Sequence, residues 1–253
     1  GVIKDIASKI KADNLPVIDA DFHFVTPPFV DSHFHMDATL SYGLPRVNKS
    51  GTLLEGIKLW GELKPNLTAD AIKERALKFC KWAIARGTLA IRSHVDVSGQ
   101  NLVGVEALLD VRETMKDFID IQLVAFPQDG LLRANCLDNL NTALDMGVDV
   151  VGGIPHFERT MEEGHESIRI LCEIAEKRGL LTDLHCDETD DPMSRHVEKL
   201  ASETTRLGLK GRVAGSHLTS MHSIDNYYFT KLISLIVEAD LNIIANPLIN
   251  ITI

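Results

Sequence analysis

Short apolar runs alternate with longer stretches of helical spacing along most of this chain. Residues 89–96, 119–126, 148–154, 180–185, 212–217 and 242–247 read as strands, most of them apolar on both faces. Between them, residues 103–118, 137–146, 167–177, 192–207 and 227–239 carry apolar positions at helical spacing. Two further helices are expected at 53–63 and 68–86, the second with Thr68 as its N-cap and Gly87 as its stop. Strand followed by helix, repeated roughly every 30 residues, is the rhythm of successive βα units. Strands that are apolar throughout predict a parallel sheet with helices packed outside it. With residues 28–37 as the first strand the count is seven. The expected fold class is therefore α/β, a (β/α)8 barrel of TIM type with seven strands present.

The first 26 residues stand outside this rhythm. Apolar segments 2–6 and 17–20 flank a turn-like Lys11-Ala12-Asp13-Asn14 and predict two or three antiparallel strands. So few strands are marginal alone in water, so the rest of their small sheet is expected elsewhere. The expected organisation is a partial sheet segment over 1–26 and a barrel domain over 27–253, truncated before strand eight.

Candidate chemistry gathers at the strand ends. The run Pro28-Phe29-Val30-Asp31-Ser32-His33-Phe34-His35-Met36-Asp37 ends in His-x-His. Alternate side chains of a strand share a face, so His33 and His35 project together as half of a metal site. Parallel barrels place their chemistry at the C-terminal ends of the strands. Those ends carry His33, His35, His94, Asp96, Gln128, His156, His185, Glu188, His217 and Asn246, which includes six of the ten histidines. One such histidine alone is more often a hydrogen-bonded structural residue; six together point to a site.

His185 is the candidate third imidazole ligand. Glu188, three residues on, can take a proton from an activated water and pass it to a leaving group. Otherwise Asp187 to Asp191 form a solvated acidic loop. His217 is a fourth ligand or orients the nucleophile. Gln128 offers a donor and an acceptor, which suits an amide-like ring edge, or it caps its own loop. His94 and Asp96 are candidates for fixing the tautomers of the ligands. His23, His165, His196 and His222 read as surface or packing residues.

Composition narrows the classes. The net charge is −10, and no Lys/Arg cluster is dense enough for a phosphate-tracking surface, which argues against nucleic acid and an anionic membrane face. No apolar run is long enough to cross a bilayer, and the start does not read as a signal peptide. Cys80, Cys136, Cys172 and Cys186 lie far apart with no C-x-x-C pair, so free thiols in a reducing cytoplasm are expected. The chain has no Pro-Cys-x-x-Cys, so the signature of the zinc nucleobase deaminases, which pairs that motif with His-x-Glu, is absent.

Several motifs carry a family resemblance. They are Pro28-Phe29-Val30-x-x-His33-x-His35-x-Asp37, Ser93-His94-Val95-Asp96-Val97, Val124-Ala125-Phe126-Pro127-Gln128-x-Gly130 and Ile154-Pro155-His156-Phe157-Glu158. To these are added His185-Cys186-Asp187-Glu188, Ser216-His217-x-Thr219-x-Met221-His222-Ser223 and Ala245-Asn246-Pro247-Leu248. Together, from about residue 17 onward, they resemble the bacterial cytosine deaminases of the amidohydrolase superfamily. The resemblance implies a metal-dependent barrel beside a small N-terminal β-sandwich, of which 1–26 is a remnant. It implies His33, His35 and His185 as ligands of one divalent ion, Fe2+ or Zn2+, with a further ligand, an Asp, at the end of strand eight. Glu188 is then the proton shuttle and His217 stands beside the activated water. Gln128 reads the carbonyl edge of the ring, and the backbone at Leu53 contacts the base. Thr252 stands where the family often has His.

The implied reaction is hydrolytic deamination of cytosine to uracil and ammonia, in pyrimidine salvage, by a cytoplasmic homo-oligomer acting on a small nucleobase. Isocytosine, 5-methylcytosine, creatinine or an aminotriazine are alternative substrates. One methyl group shifts discrimination by only about 1–3 kcal/mol, so the sequence does not separate them. A third reading is a non-catalytic barrel scaffold or an inactive fragment, since a barrel lacking strand eight is expected to bind metal weakly and turn over poorly.

Overall fold

The computed structural model describes residues 2–11 and 14–251. Among the described residues seven strands pair in sequence order, every neighbouring pair parallel. They are β1 (Phe29–Phe34), β2 (Thr88–Asp96), β3 (Asp120–Phe126), β4 (Val150–Gly153), β5 (Leu181–Cys186), β6 (Val213–His217) and β7 (Asn242–Ile244). The sheet curls into a nearly closed barrel, so that His33 of β1 comes within 3.2 Å of His217 of β6. Around it run α1 (Leu53–Leu63), α2 (Ala69–Ala85), α3 (Val103–Met115), α4 (Cys136–Asp145), α5 (Met161–Arg178), α6 (His196–Arg206), α7 (Asn226–Glu238) and the single turn α8 (Pro247–Asn250).

The strands in the middle of the sheet are largely apolar because both their faces are covered, whereas Phe29 and Val30 of β1 and Ile243 of β7 are exposed at its two edges. β4 is wholly buried, and its two glycines are contact requirements: a Cβ on Gly152 would lie 2.5 Å from the Ala125 carbonyl oxygen, and one on Gly153 would lie 2.4 Å from Leu171 of α5. α2 shows the helix side of the packing. It buries Ile72, Ala76, Cys80 and Ala83, one stripe at helical spacing, against the sheet. The Thr68 side chain accepts from the Ala71 N–H, as the sequence leads one to expect. Gly87, with φ +85, makes the turn into β2. All four cysteines are buried and free.

The structure departs from the sequence reading at several places. α5 begins at Met161 rather than 167, because Thr160 caps the Glu163 N–H and acidic Glu162 and Glu163 suit the helix N-terminus. That turn carries few apolar residues, so periodicity alone passes over it. α6 begins at His196 rather than 192: Thr189 and Asp191 accept from the backbone two residues on and hold the chain in turns. The final strand stops at Ile244 and α8 follows. No strand forms before Phe29 among the described residues, and Val2, Ile18 and Phe24 are exposed. The expected antiparallel strands find no partner there, and a ladder without a neighbour has no hydrogen bonds to gain. Part of the turn expected at Lys11–Asn14, and Thr252, lie outside the described residues. Among the described residues no helix is long and apolar enough to cross a membrane.

Candidate active site

The strand ends open into one cavity of about 1270 Å3, lined by His33, His35, Leu53, Gln128, His185, Glu188 and His217. The barrel thus brings together every residue singled out as ligand, proton carrier or substrate contact. His35 Nε2 lies 3.0 Å from His185 Nε2, and His33 Nε2 lies 3.2 Å from His217 Nε2. His33, His35, His94 and His185 each offer a nitrogen within 4.8 Å of the others.

Hydrogen-bond direction fixes the state of His33. The Ser216 hydroxyl donates to Asp183 Oδ1 at 2.8 Å, while Arg92 Nη1 donates to Asp183 Oδ2 at 2.8 Å. Burial opposes the charge on Asp183, but His94 and Arg92 beside it hold its carboxyl below the usual carboxylate range. A hydroxyl has one proton, and here it goes to the carboxylate. The 3.1 Å contact between Ser216 Oγ and His33 Nδ1 must then be donated by His33, which leaves a bare lone pair on Nε2 facing the cavity.

These residues fit a divalent metal. Two Zn–N bonds of about 2.0–2.1 Å at a tetrahedral angle place their nitrogens about 3.3 Å apart, close to the spacings seen. Burial drives the pKa values of His33, His35 and His185 far down, and neighbouring imidazoles add to it, so all three are neutral, the form that binds metal.

The expectation for the second strand divides. His94 packs its ring 4.4 Å from that of His33 and 4.6 Å from that of His185, and so stands within the ligand-capable group rather than behind it. Asp96 points elsewhere. Its carboxylate accepts from Trp60 Nε1 at 2.7 Å and Lys64 Nζ at 3.2 Å, and so ties β2 to α1. The group that orients His33 is the Ser216–Asp183–Arg92 chain, which the sequence reading missed. Its signal was available: Asp183 lies two residues before His185, and Arg92 two before His94. Each therefore shares the inward face of its strand, where an apolar residue is the norm.

Glu188 is buried, with Oε1 3.3 Å from His217 Nδ1, and burial pushes its pKa up to about 7. Burial takes His217 down to about 4, partly offset by its hydrogen bond to Asn250 Oδ1 at 3.1 Å. Asn250, on α8, is a further contact that no strand pattern pointed to. Gln128 is half-buried, and its side-chain amide makes no hydrogen bond among the described residues, so the loop-capping alternative finds no partner. Next to it, Asp129 Oδ2 accepts from Lys64 Nζ at 2.6 Å, which joins the Gln128 loop to α1, the helix that begins at Leu53.

Comparison with known proteins gives the family. The crystal structure of 5-methylcytosine deaminase from Klebsiella pneumoniae, liganded with phosphonocytosine, superposes with a TM-score of 0.84 at 44% identity, covering 86% of this chain and 53% of that one. N-isopropylammelide isopropyl amidohydrolase of Pseudomonas sp. (strain ADP) is 33% identical over 86% of this chain and 56% of its own length. Pterin deaminase of Rhizobium rhizogenes is 29% identical over 99% of this chain and 57% of its own. The chain spans about half the length of these relatives. A family model described as "Amidohydrolase family" matches residues 16–252, a span that holds every strand of the barrel and every residue of the site. On that match, this chain belongs to the amidohydrolase family.

Proposed function

We propose that the protein carrying this barrel is a metal-dependent hydrolase that deaminates cytosine to uracil and ammonia. In this reading residues 27–253 are the catalytic barrel and 1–26 a segment of a small sandwich. His33, His35 and His185 hold one Fe2+ or Zn2+ ion, with His94 close enough to join or support them. When bound, the ion supplies a water nucleophile at neutral pH. The chain's own residues do the rest. Gln128 presents its free amide to the carbonyl edge of the ring, and the backbone at Leu53 closes over the base. Glu188, ionised, takes a proton from the nucleophile and delivers it to the ring nitrogen beside the attacked carbon. His217, neutral and 3.3 Å from Glu188, orients the nucleophile. One water is consumed and one ammonia leaves.

The observation that carries this reading is a buried carboxylate, its pKa pushed up to about 7, in one cavity with a cluster of neutral imidazoles. A second substrate, 5-methylcytosine, is favoured by the 44% identity to a deaminase of that base. Ammonia release measured on cytosine, 5-methylcytosine, isocytosine, creatinine and an aminotriazine tests both. The expected result is highest kcat/KM on one of the first two; a metal-loaded, full-length protein that spares every aminopyrimidine would refute the proposal. The four buried thiols suit a reducing cytoplasm, and a homo-oligomer is the expected assembly, to be checked by light scattering.

A further inference from the structure

We propose that Asp187 is a positioning residue. It anchors the end of β5 to α6 and to the end of β6, and thereby sets the Glu188 carboxylate and the His217 imidazole opposite one another. The inference rests on the reading of Glu188 as the proton carrier.

Three independent observations lead to it. Asp187 is fully buried, and its carboxylate is surrounded by donors from one place. Oδ1 accepts from Ser194 Oγ at 2.8 Å, the His196 N–H at 2.9 Å and His196 Nδ1 at 2.8 Å; Oδ2 accepts from the Val197 N–H at 2.9 Å. The backbone donors open α6, whose own N-cap residue, Arg195, makes no side-chain cap. Asp187 therefore caps that helix from the far end of β5, where the positive end of the helix favours a carboxylate.

The backbone is the second observation. Asp187 has φ +53, and His217 and Leu218 have φ +75 and +48. Left-handed conformations at residues other than glycine cost about 1 kcal/mol or more and persist where the surroundings over-determine them. Straight continuation of β5 would send the side chains of residues 185 and 187 into the barrel and those of 186 and 188 outward. The left-handed residue breaks this alternation. The Asp187 side chain goes to α6, and Glu188 enters the cavity.

The third is a set of hydrogen bonds between the two strand ends. The Leu218 N–H donates to the Cys186 carbonyl at 3.0 Å and the Ser220 N–H to the Asp187 carbonyl at 3.1 Å. Ser220 Oγ donates to the Ser194 carbonyl at 2.7 Å. Each strand end is thus fixed against the other and against the loop before α6. The 3.3 Å separation of Glu188 and His217 is set by this joint.

The test uses the full-length, metal-loaded protein with cytosine and compares Asp187→Asn, Asp187→Gly and Ser194→Ala with Glu188→Gln. A displacement of about 1 Å at reacting groups costs up to about 100-fold in rate. Asp187→Asn is expected to lower kcat about 100-fold, with KM within about threefold and metal content unchanged. Asp187→Gly should do no better, although glycine relieves the backbone, because the anchor is lost. Ser194→Ala removes one donor and should lower kcat about 3- to 10-fold; it decides the matter if the Asp187 variants do not fold. Wild-type kcat in folded Ser194→Ala and Asp187→Asn, with only a lower Tm, would reduce Asp187 to a helix cap and overturn the proposal. Wild-type kcat in Glu188→Gln would instead overturn the reading of Glu188 on which it rests.

Discussion

Replacing Ser216 by alanine removes a single oxygen from the barrel interior and is expected to weaken divalent-metal binding about 10- to 100-fold. The hydroxyl links His33 Nδ1, at 3.1 Å, to Asp183 Oδ1, at 2.8 Å. Without it nothing on that side selects the tautomer with a bare Nε2, and the ring is free to rotate or to place its proton toward the metal. The expected loss corresponds to about 1.4–2.8 kcal/mol of binding free energy, at about 1.4 kcal/mol per factor of ten. Asp183 loses one of its donors but keeps Arg92 at 2.8 Å, so its buried charge stays paired. A hydrogen bond to a charged group contributes about 1.5–3 kcal/mol, which bounds the accompanying loss of fold stability. The assay is chelator competition for Zn2+ in the full-length protein, with urea unfolding of the metal-free form alongside. Metal affinity within twofold of wild type, in a variant that shows the stability loss, would refute the tautomer argument: the hydroxyl would then serve Asp183 alone.

Other outcomes follow from the same geometry. Glu188→Gln should lower kcat by about 100- to 10,000-fold while leaving KM within a few-fold, read from ammonia release. Since Glu188 must be ionised to accept a proton and its pKa is pushed up to about 7, kcat/KM should fall as pH drops through about 7 and reach a plateau above it; a rate flat from pH 5.5 to 8.5 would contradict this. Gln128→Leu should cut kcat/KM for cytosine about tenfold without changing Tm, because its amide has no partner in the fold to lose; a drop in Tm at unchanged kinetics would make it a loop cap. Lys64→Met leaves the nearly buried Asp96 and its neighbour Asp129 without their shared cation. It should destabilise the fold by about 1–3 kcal/mol in urea titrations and raise KM through the Gln128 loop, whereas full stability would show the pair of contacts to be idle.

The parts of the molecule legible in sequence and the parts that were not differ in the range of the interaction that makes them. The strands could be read because a sheet covered on both faces favours apolar runs, a local condition that β4 meets at every residue and β3 from Leu123 to Phe126. The imidazoles could be read because each one ends such a run, as at His35, His185 and His217. The groups that hold those side chains in place are set by contacts across the chain. Ser216 stands 183 positions from His33, and Asp183 stands 91 from Arg92, so no window along the sequence contains either pair. Asp187 was masked in a different way. In the acidic stretch from 187 to 191 it reads as solvated, yet it is buried while Asp190 and Asp191 are exposed. What sets it apart is a left-handed backbone and a helix that starts nine residues later, and neither is a property of the residue itself. Composition at the strand ends thus indicates what chemistry is available. Its direction — which nitrogen is bare, which way the carboxylate turns — comes from buried polar residues one and two positions further back or on, whose partners exist only once the barrel has curled.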